Sequence, residues 1–238
     1  VMMLTWPVAT VGWVSNIVQQ AEASQGRINE FLHEKPDIEN TNPSPTPIEG
    51  DIRFEKVTFT YPDTQVTALK EVSFHIPKGK NIAIIGRTGS GKSTILDLIT
   101  RMYDVEKGQV LIDGKNIKSL NLNDLRKSIS VIPQDSFLFS DTIENNIKFG
   151  KPEATDLEVI HVAKLAQVHD NIMDFKDNYR TILGERGISL SGGQRQRVSI
   201  ARALLKQAQI YLFDDCLSAV DTDTEEKILH NLSQTAQD

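Results

Sequence analysis

Residues 86–93, GRTGSGKS, constrain the chain more than any other stretch, because they follow the apolar run NIAIIG directly. They fit the spacing G-x-x-x-x-G-K-[ST], which asks for a buried strand, a bare loop and a helix in immediate succession. Gly86, Gly89 and Gly91, with Thr88 and Ser90 between them, let backbone N–H groups close around phosphate oxygens with no Cβ in the way. The helix expected from about Lys92 adds free donors and a partial positive charge at its start. Lys92 is spaced to reach the β- and γ-phosphates, and the Ser93 hydroxyl to meet Mg2+. Thr94 follows in the same turn and is grouped with the loop. A chain with this feature is expected to bind a nucleoside triphosphate.

The remaining sequence suits an α/β fold. DIRFEKVTFTY and EVSFHIP alternate as strands do, and NIAIIG reads as a parallel strand covered on both faces. A strand pair is expected around GQVLIDG and a buried strand at ISVIPQ. Residues 141–175 read as mainly helical, with Leu157, Ile160, Val162, Ala163, Leu165 and Ala166 on one apolar face. A final unit runs helix (about 192–206), strand IYLFDD, helix (about 223–235). Strand and helix alternation in the second half points to a parallel sheet, and the early strands to an antiparallel addition.

Three segments divide the 238 residues. The first eighteen carry no charge and two tryptophans, slightly short of the roughly 20 residues that cross a bilayer. With the stripe Ile17, Ala21, Ser24, Ile28, Phe31 and Leu32, residues 1–35 read as the end of a transmembrane helix leaving for water. An ordinary buried helix is the alternative. Residues 36–50 hold four of the nine prolines and read as a semi-extended linker. Residues 51–238 form the globular domain. The net charge of -6 argues against nucleic acid as a partner. Cys216 is the single cysteine, so no internal disulfide can form, and no zinc-like spacing is present.

Two further stretches bear on chemistry. IYLFDD ends a buried strand on Asp214, the place for a second metal partner, although two acids ending a strand can also be a plain capping turn. In SGGQ, Ser191 and Gln194 have capping-box spacing. The plain reading is a helix start, yet Gly192 and Gly193 beside it form a second anion cradle. One nucleotide needs one cradle, so the spare one suits a neighbour's nucleotide.

On LSGGQRQRVSIARALL, together with the phosphate loop, residues 51–238 resemble the ATP-binding-cassette (ABC) ATPases. The resemblance implies a P-loop NTPase of ABC type, with a mixed sheet core, an antiparallel β addition and a helical subdomain carrying the signature. It implies two such domains packed head to tail, with Leu190, Ser191, Gly192, Gly193 and Gln194 of one facing the ATP of the other. By the same resemblance Tyr61 in FTYPD stacks on adenine; a strand aromatic facing the core is its alternative. Gln134 in IPQD contacts Mg2+ and the attacking water, and Asp221 in SAVD crosses the dimer interface. SFLFSDTIENNIKFG and TILGERGISLSGGQ resemble exporters whose membrane domain precedes the ATPase, with Glu185 touching the partner's coupling helix. The implied setting is the cytoplasmic face of a cell membrane, with ATP and Mg2+ as ligands. The implied partners are its own transmembrane domain and a second half-transporter with its own, as in bacterial heterodimeric multidrug exporters.

The chain departs from the family pattern after the metal aspartate. The family's general base is glutamate; here it is Asp215, one methylene shorter. A misplacement near 1 Å can cost roughly 10²-fold in rate, so the site on this loop is expected to bind ATP and hydrolyse it slowly. A backbone shift that lets Asp215 serve as base is the alternative. The family's switch histidine is expected on a strand beyond residue 238, so these residues alone should make a poor ATPase. His33, His75, His161, His169 and His230 take no assigned role. Two other classes compete: a soluble ABC ATPase of DNA repair or translation, and a regulatory module that binds ATP without hydrolysing it.

Overall fold

The computed structural model describes residues 2–184 and 190–235, with side chains placed for 6–184 and 190–232. Two compact units result, 1–39 and 40–238. The first is a helix, α1 (Met2–His33), with Pro7 inside it and the side chains of Trp6, Trp13, Ile17, Ile28 and Phe31 exposed. Among the described residues no helix is long and apolar enough to cross a membrane, α1 included.

The second unit opens with an antiparallel sheet. Its strands β1 (Ile52–Thr60), β2 (Thr67–Ile76), β3 (Lys107–Ile112) and β4 (Lys115–Asn116) run in the order β2-β1-β3-β4. Period-two alternation buries Ile52 and Phe54. A register shift between Phe54 and Val57, with Lys56 at φ 47, then resets the phase so that Val57 and Phe59 are buried. Asp113 and Gly114 both have positive φ and turn β3 into β4. The Asp113 carboxylate accepts from the N–H groups of Glu49, Gly50 and Asp51. Further hydrogen bonds lay residues 40–46 along the segment 119–124: Leu122 N donates to Asn40 Oδ1, and Thr46 N to Asp124 Oδ2.

A second sheet pairs β5 (Ile129–Ile132) with β6 (Ile210–Phe213) in parallel. Helices α2 (Lys92–Ile99), α3 (Leu122–Lys127), α4 (Ile143–Lys148), α5 (Asp156–Leu165), α6 (His169–Met173), α7 (Gly192–Leu205) and α8 (Thr222–Thr235) complete the unit. The main core gathers Ile132, Ile143, Ile147, Val159, Ala163, Ile172 and Ile228 around α7, whose Val198, Ile200, Ala201 and Leu205 are buried. The mixed α/β architecture thus matches the sequence reading, with two corrections. NIAIIG forms no buried strand: residues 81–86 belong to neither sheet, and Ile82, Ile84 and Ile85 are exposed. A strand covered on both faces needs ladder partners, and the parallel sheet formed by the described residues has only β5 and β6. On α5 the core face is Val159, Val162 and Ala163, whereas Leu157, in its first turn, is 79% exposed.

Candidate functional site

The loop at 86–93 is shaped by what its glycines lack. A Cβ on Gly86 would lie 2.5 Å from Ser90 Oγ, and one on Gly91 2.6 Å from the Ala68 carbonyl oxygen of β2. Gly91, at φ 87, is the N-cap of α2 and provides no side-chain cap, so the first N–H groups of that helix face the loop without a cap of their own. Thr88, Gly89 and Ser90 are exposed, and Ser90 N donates to Arg87 O to close the turn. Lys92 Nζ donates to the carbonyl oxygens of Gly86 (3.0 Å) and Arg87 (3.1 Å), lying across the mouth of the loop. Ser93 is exposed, while Thr94 is buried.

Tyr61 stands just past β1, partly buried, with its ring edge-on to Phe59 (5.0 Å) and Tyr103 (5.5 Å). Its hydroxyl is 2.9 Å from Thr94 Oγ1, so the aromatic residue and the phosphate-loop helix are joined directly.

Asp214 and Asp215 follow β6. Asp214 N donates to Ile132 O, which carries the β5–β6 ladder one residue further and fixes Asp214 at the strand's end. Asp215 turns away at φ 46, a left-handed conformation costly for a non-glycine residue. Its Oδ2 accepts from Gln134 Nε2 at 3.2 Å, bringing together the two side chains expected to handle water. Cys216 behind them is buried, and burial pushes its thiol up to about 12, which makes it inert. Asp97 on α2 has its pKa raised, first by burial and also by the charge of Asp214, against a hydrogen bond from Tyr61 that lowers it.

The residues suit a nucleotide and its metal. The loop interior is a cradle that a single Cβ would fill. Ser93, Asp214 and Gln134 are oxygen donors of the kind Mg2+ prefers. Among the described residues no cluster of three His, Cys, Asp or Glu side chains could hold a metal alone. Mg2+ needs no such cage, since it keeps waters and substrate phosphates as ligands.

The second bare loop starts α7. Leu190 is buried, Ser191 and Gly192 are exposed. The expected capping box forms: Gln194 N donates to Ser191 Oγ (3.2 Å) and Ser191 N to Gln194 Oε1 (2.9 Å). The glycines sit against residues 219–220, where a Cβ on Gly193 would lie 2.7 Å from Ala219 O. Ala219 N donates to Gln196 Oε1 at 3.1 Å, locking the same two segments. Asp221 Oδ1 accepts from Thr224 N, and that bond holds its carboxyl below the usual range. Glu185 lies outside the described residues. Sequence reasoning passed over Asp97. The one signal for it was its place four residues after Ser93, on the same helix face.

Residues 69–218 match the family described as "ABC transporter". The "Multidrug resistance-like ATP-binding protein MdlA" of Escherichia coli (strain K12) is 46% identical over 99% of this chain and 40% of its own length. The "Uncharacterized ABC transporter ATP-binding protein YknU" of Bacillus subtilis (strain 168) is 44% identical over 94% of the chain and 39% of its own. A solved structure, "Structure of a bacterial Atm1-family ABC exporter with ATP bound", superposes with a TM-score of 0.91 at 36% identity. It covers 99% of this chain and 41% of that one. The chain therefore spans about two fifths of the length of these relatives.

Proposed function

The chain belongs to the ABC transporter family, and from that membership we propose that it is the ATP-binding part of an exporter subunit that works beside a second, different half-transporter. The loop amides and Lys92 hold the phosphates, Tyr61 carries the adenine, and Ser93, Asp214 and Gln134 hold Mg2+. When bound, the metal neutralises phosphate charge during transfer to water. Gln134 and Asp215 orient that water. Ser191, Gly192, Gly193 and Gln194, with Leu190 anchoring them, close over the ATP held by the partner, and Asp221 lies at the joint between the two. Residues 1–35 continue a membrane-domain helix into water, and 36–50 link it to the domain at 51–238. The ATPase works on the cytoplasmic face of the cell membrane, with Glu185 touching the partner's coupling helix, and its cargo is of the multidrug kind.

The observation that carries this reading is the pair of exposed backbone cradles, at 86–93 and 191–193, each at the start of its own helix. One nucleotide would leave the second idle; two domains facing head to tail use both. The site headed by this chain's loop is the slow one. Asp215 is a methylene shorter than glutamate and is tied to Gln134, so its carboxylate stands back from the water. In the assembled pair, Asp215→Glu should raise turnover at this site about tenfold to a hundredfold, by the roughly 10² cost of a 1 Å misplacement. Single-site ATPase assays read it directly, and an unchanged rate would remove the slow-site reading.

A further inference from the structure

A flat ring that only stacks on a base needs no hydroxyl, yet Tyr61 has one, and it is engaged. Thr94 Oγ1 lies 2.9 Å from it, and Thr94 is 4% exposed. Phe59 and Tyr103 meet the ring at 80° and 87°, which fixes its plane. Thr94 also shares a helical turn with Lys92 and Ser93.

We propose that Thr94 is a positioning residue for Tyr61, fixing its ring at a set distance from Lys92 and Ser93 so that the site measures the span from base to phosphate. The proposal rests on the reading of Tyr61 as the adenine platform. It assigns the Thr94 side chain to the aromatic residue, across 33 residues of sequence. The ruler is rigid because both ends of it lie on α2: the phosphate end through Lys92 and Ser93, the base end through the Tyr61 hydroxyl.

The test compares binding of MgATP with binding of magnesium tripolyphosphate, which has phosphates and no base, to the intact protein by calorimetry. Tyr61→Phe and Thr94→Val should each weaken MgATP about threefold to tenfold, the worth of a hydrogen bond, with tripolyphosphate unaffected. Thr94→Ser should restore ATP affinity, and Tyr61→Phe with Thr94→Val together should be no weaker than either alone. Equal losses for both ligands, or losses that multiply in the double variant, would overturn the proposal while leaving the nucleotide site in place. Tyr61→Ala with undiminished ATP binding would instead remove the adenine platform, and this proposal with it.

Discussion

Lys92 donates to two carbonyls at the mouth of its own loop, bonds that a phosphate carrying full charge would displace. Those carbonyls belong to exposed residues, Gly86 and Arg87, so water can replace the amine there. Lys92→Ala should therefore leave thermal unfolding where it is and weaken MgATP binding at this loop about tenfold to a hundredfold. That range follows from roughly 1.5–3 kcal/mol for a hydrogen bond to a charged group. A calorimetric titration with unchanged affinity would show that phosphate sits elsewhere. Lys92, Gly91 and Ser191 are readable from sequence alone because their spacing dictates a backbone conformation within one or two turns. Thr94 is not. Tyr61 stands just past the end of another strand, and only tertiary folding brings the two hydroxyls together.

Helix starts are the elements whose chemistry is most local. The capping box of α7 was legible in SGGQ, and α5 has another, in which Thr155 and Glu158 bond reciprocally. Glu158 also bonds Lys151 at 2.7 Å, and chiefly that bond, then those to Thr155, holds its carboxyl down at about 2 from an ordinary 4.5. The folded state thus releases a proton that the unfolded chain still holds between those values. Its contribution is complete above pH 4.5 and lost as pH falls through about 2. Glu158→Gln should flatten the acid limb of a stability-versus-pH curve measured with denaturant, and an identical limb would count against the cap. Arg202 shows the opposite case. In the sequence it is one more helical arginine, but α7 is central. Its guanidinium bonds Asn146 and Phe137, lies 5.6 Å from the rings of Phe139 and Phe149, and is pulled down to about 10 by burial. Nothing in local spacing announces a half-buried cation, because the elements that surround it lie over fifty residues away.

At the scale of the whole molecule, alternation and apolar runs reveal which segments are strands only where partners exist to pair with them. β1, β5 and β6 lie where the pattern puts them, whereas residues 81–86 have the composition of a strand and no ladder among the described residues. Pairing is a property of assembled sheets, so a single segment cannot announce it. The same logic applies to the two cradles: on the reading proposed above each is half of a site, and neither reveals by itself which molecule completes it. Division of labour between the halves has an asymmetric consequence. On the division of labour proposed above, this chain's phosphate loop heads the slow site, with Asp215 as its base, whereas its Ser191 segment completes the fast site of the partner. Lys92→Ala therefore removes little turnover from the assembled pair, since the fast site keeps its own phosphate loop. Ser191→Arg, by contrast, puts bulk and charge into the exposed start of α7 and withdraws a donor from the fast site. Loss of one such donor costs about 10²–10³ in rate, so steady-state ATPase of the pair should fall at least tenfold. The order is the discriminating quantity: Ser191→Arg must depress turnover more than Lys92→Ala. Equal losses would mean two equivalent sites, and a reversed order would mean that this chain's own loop carries the fast one.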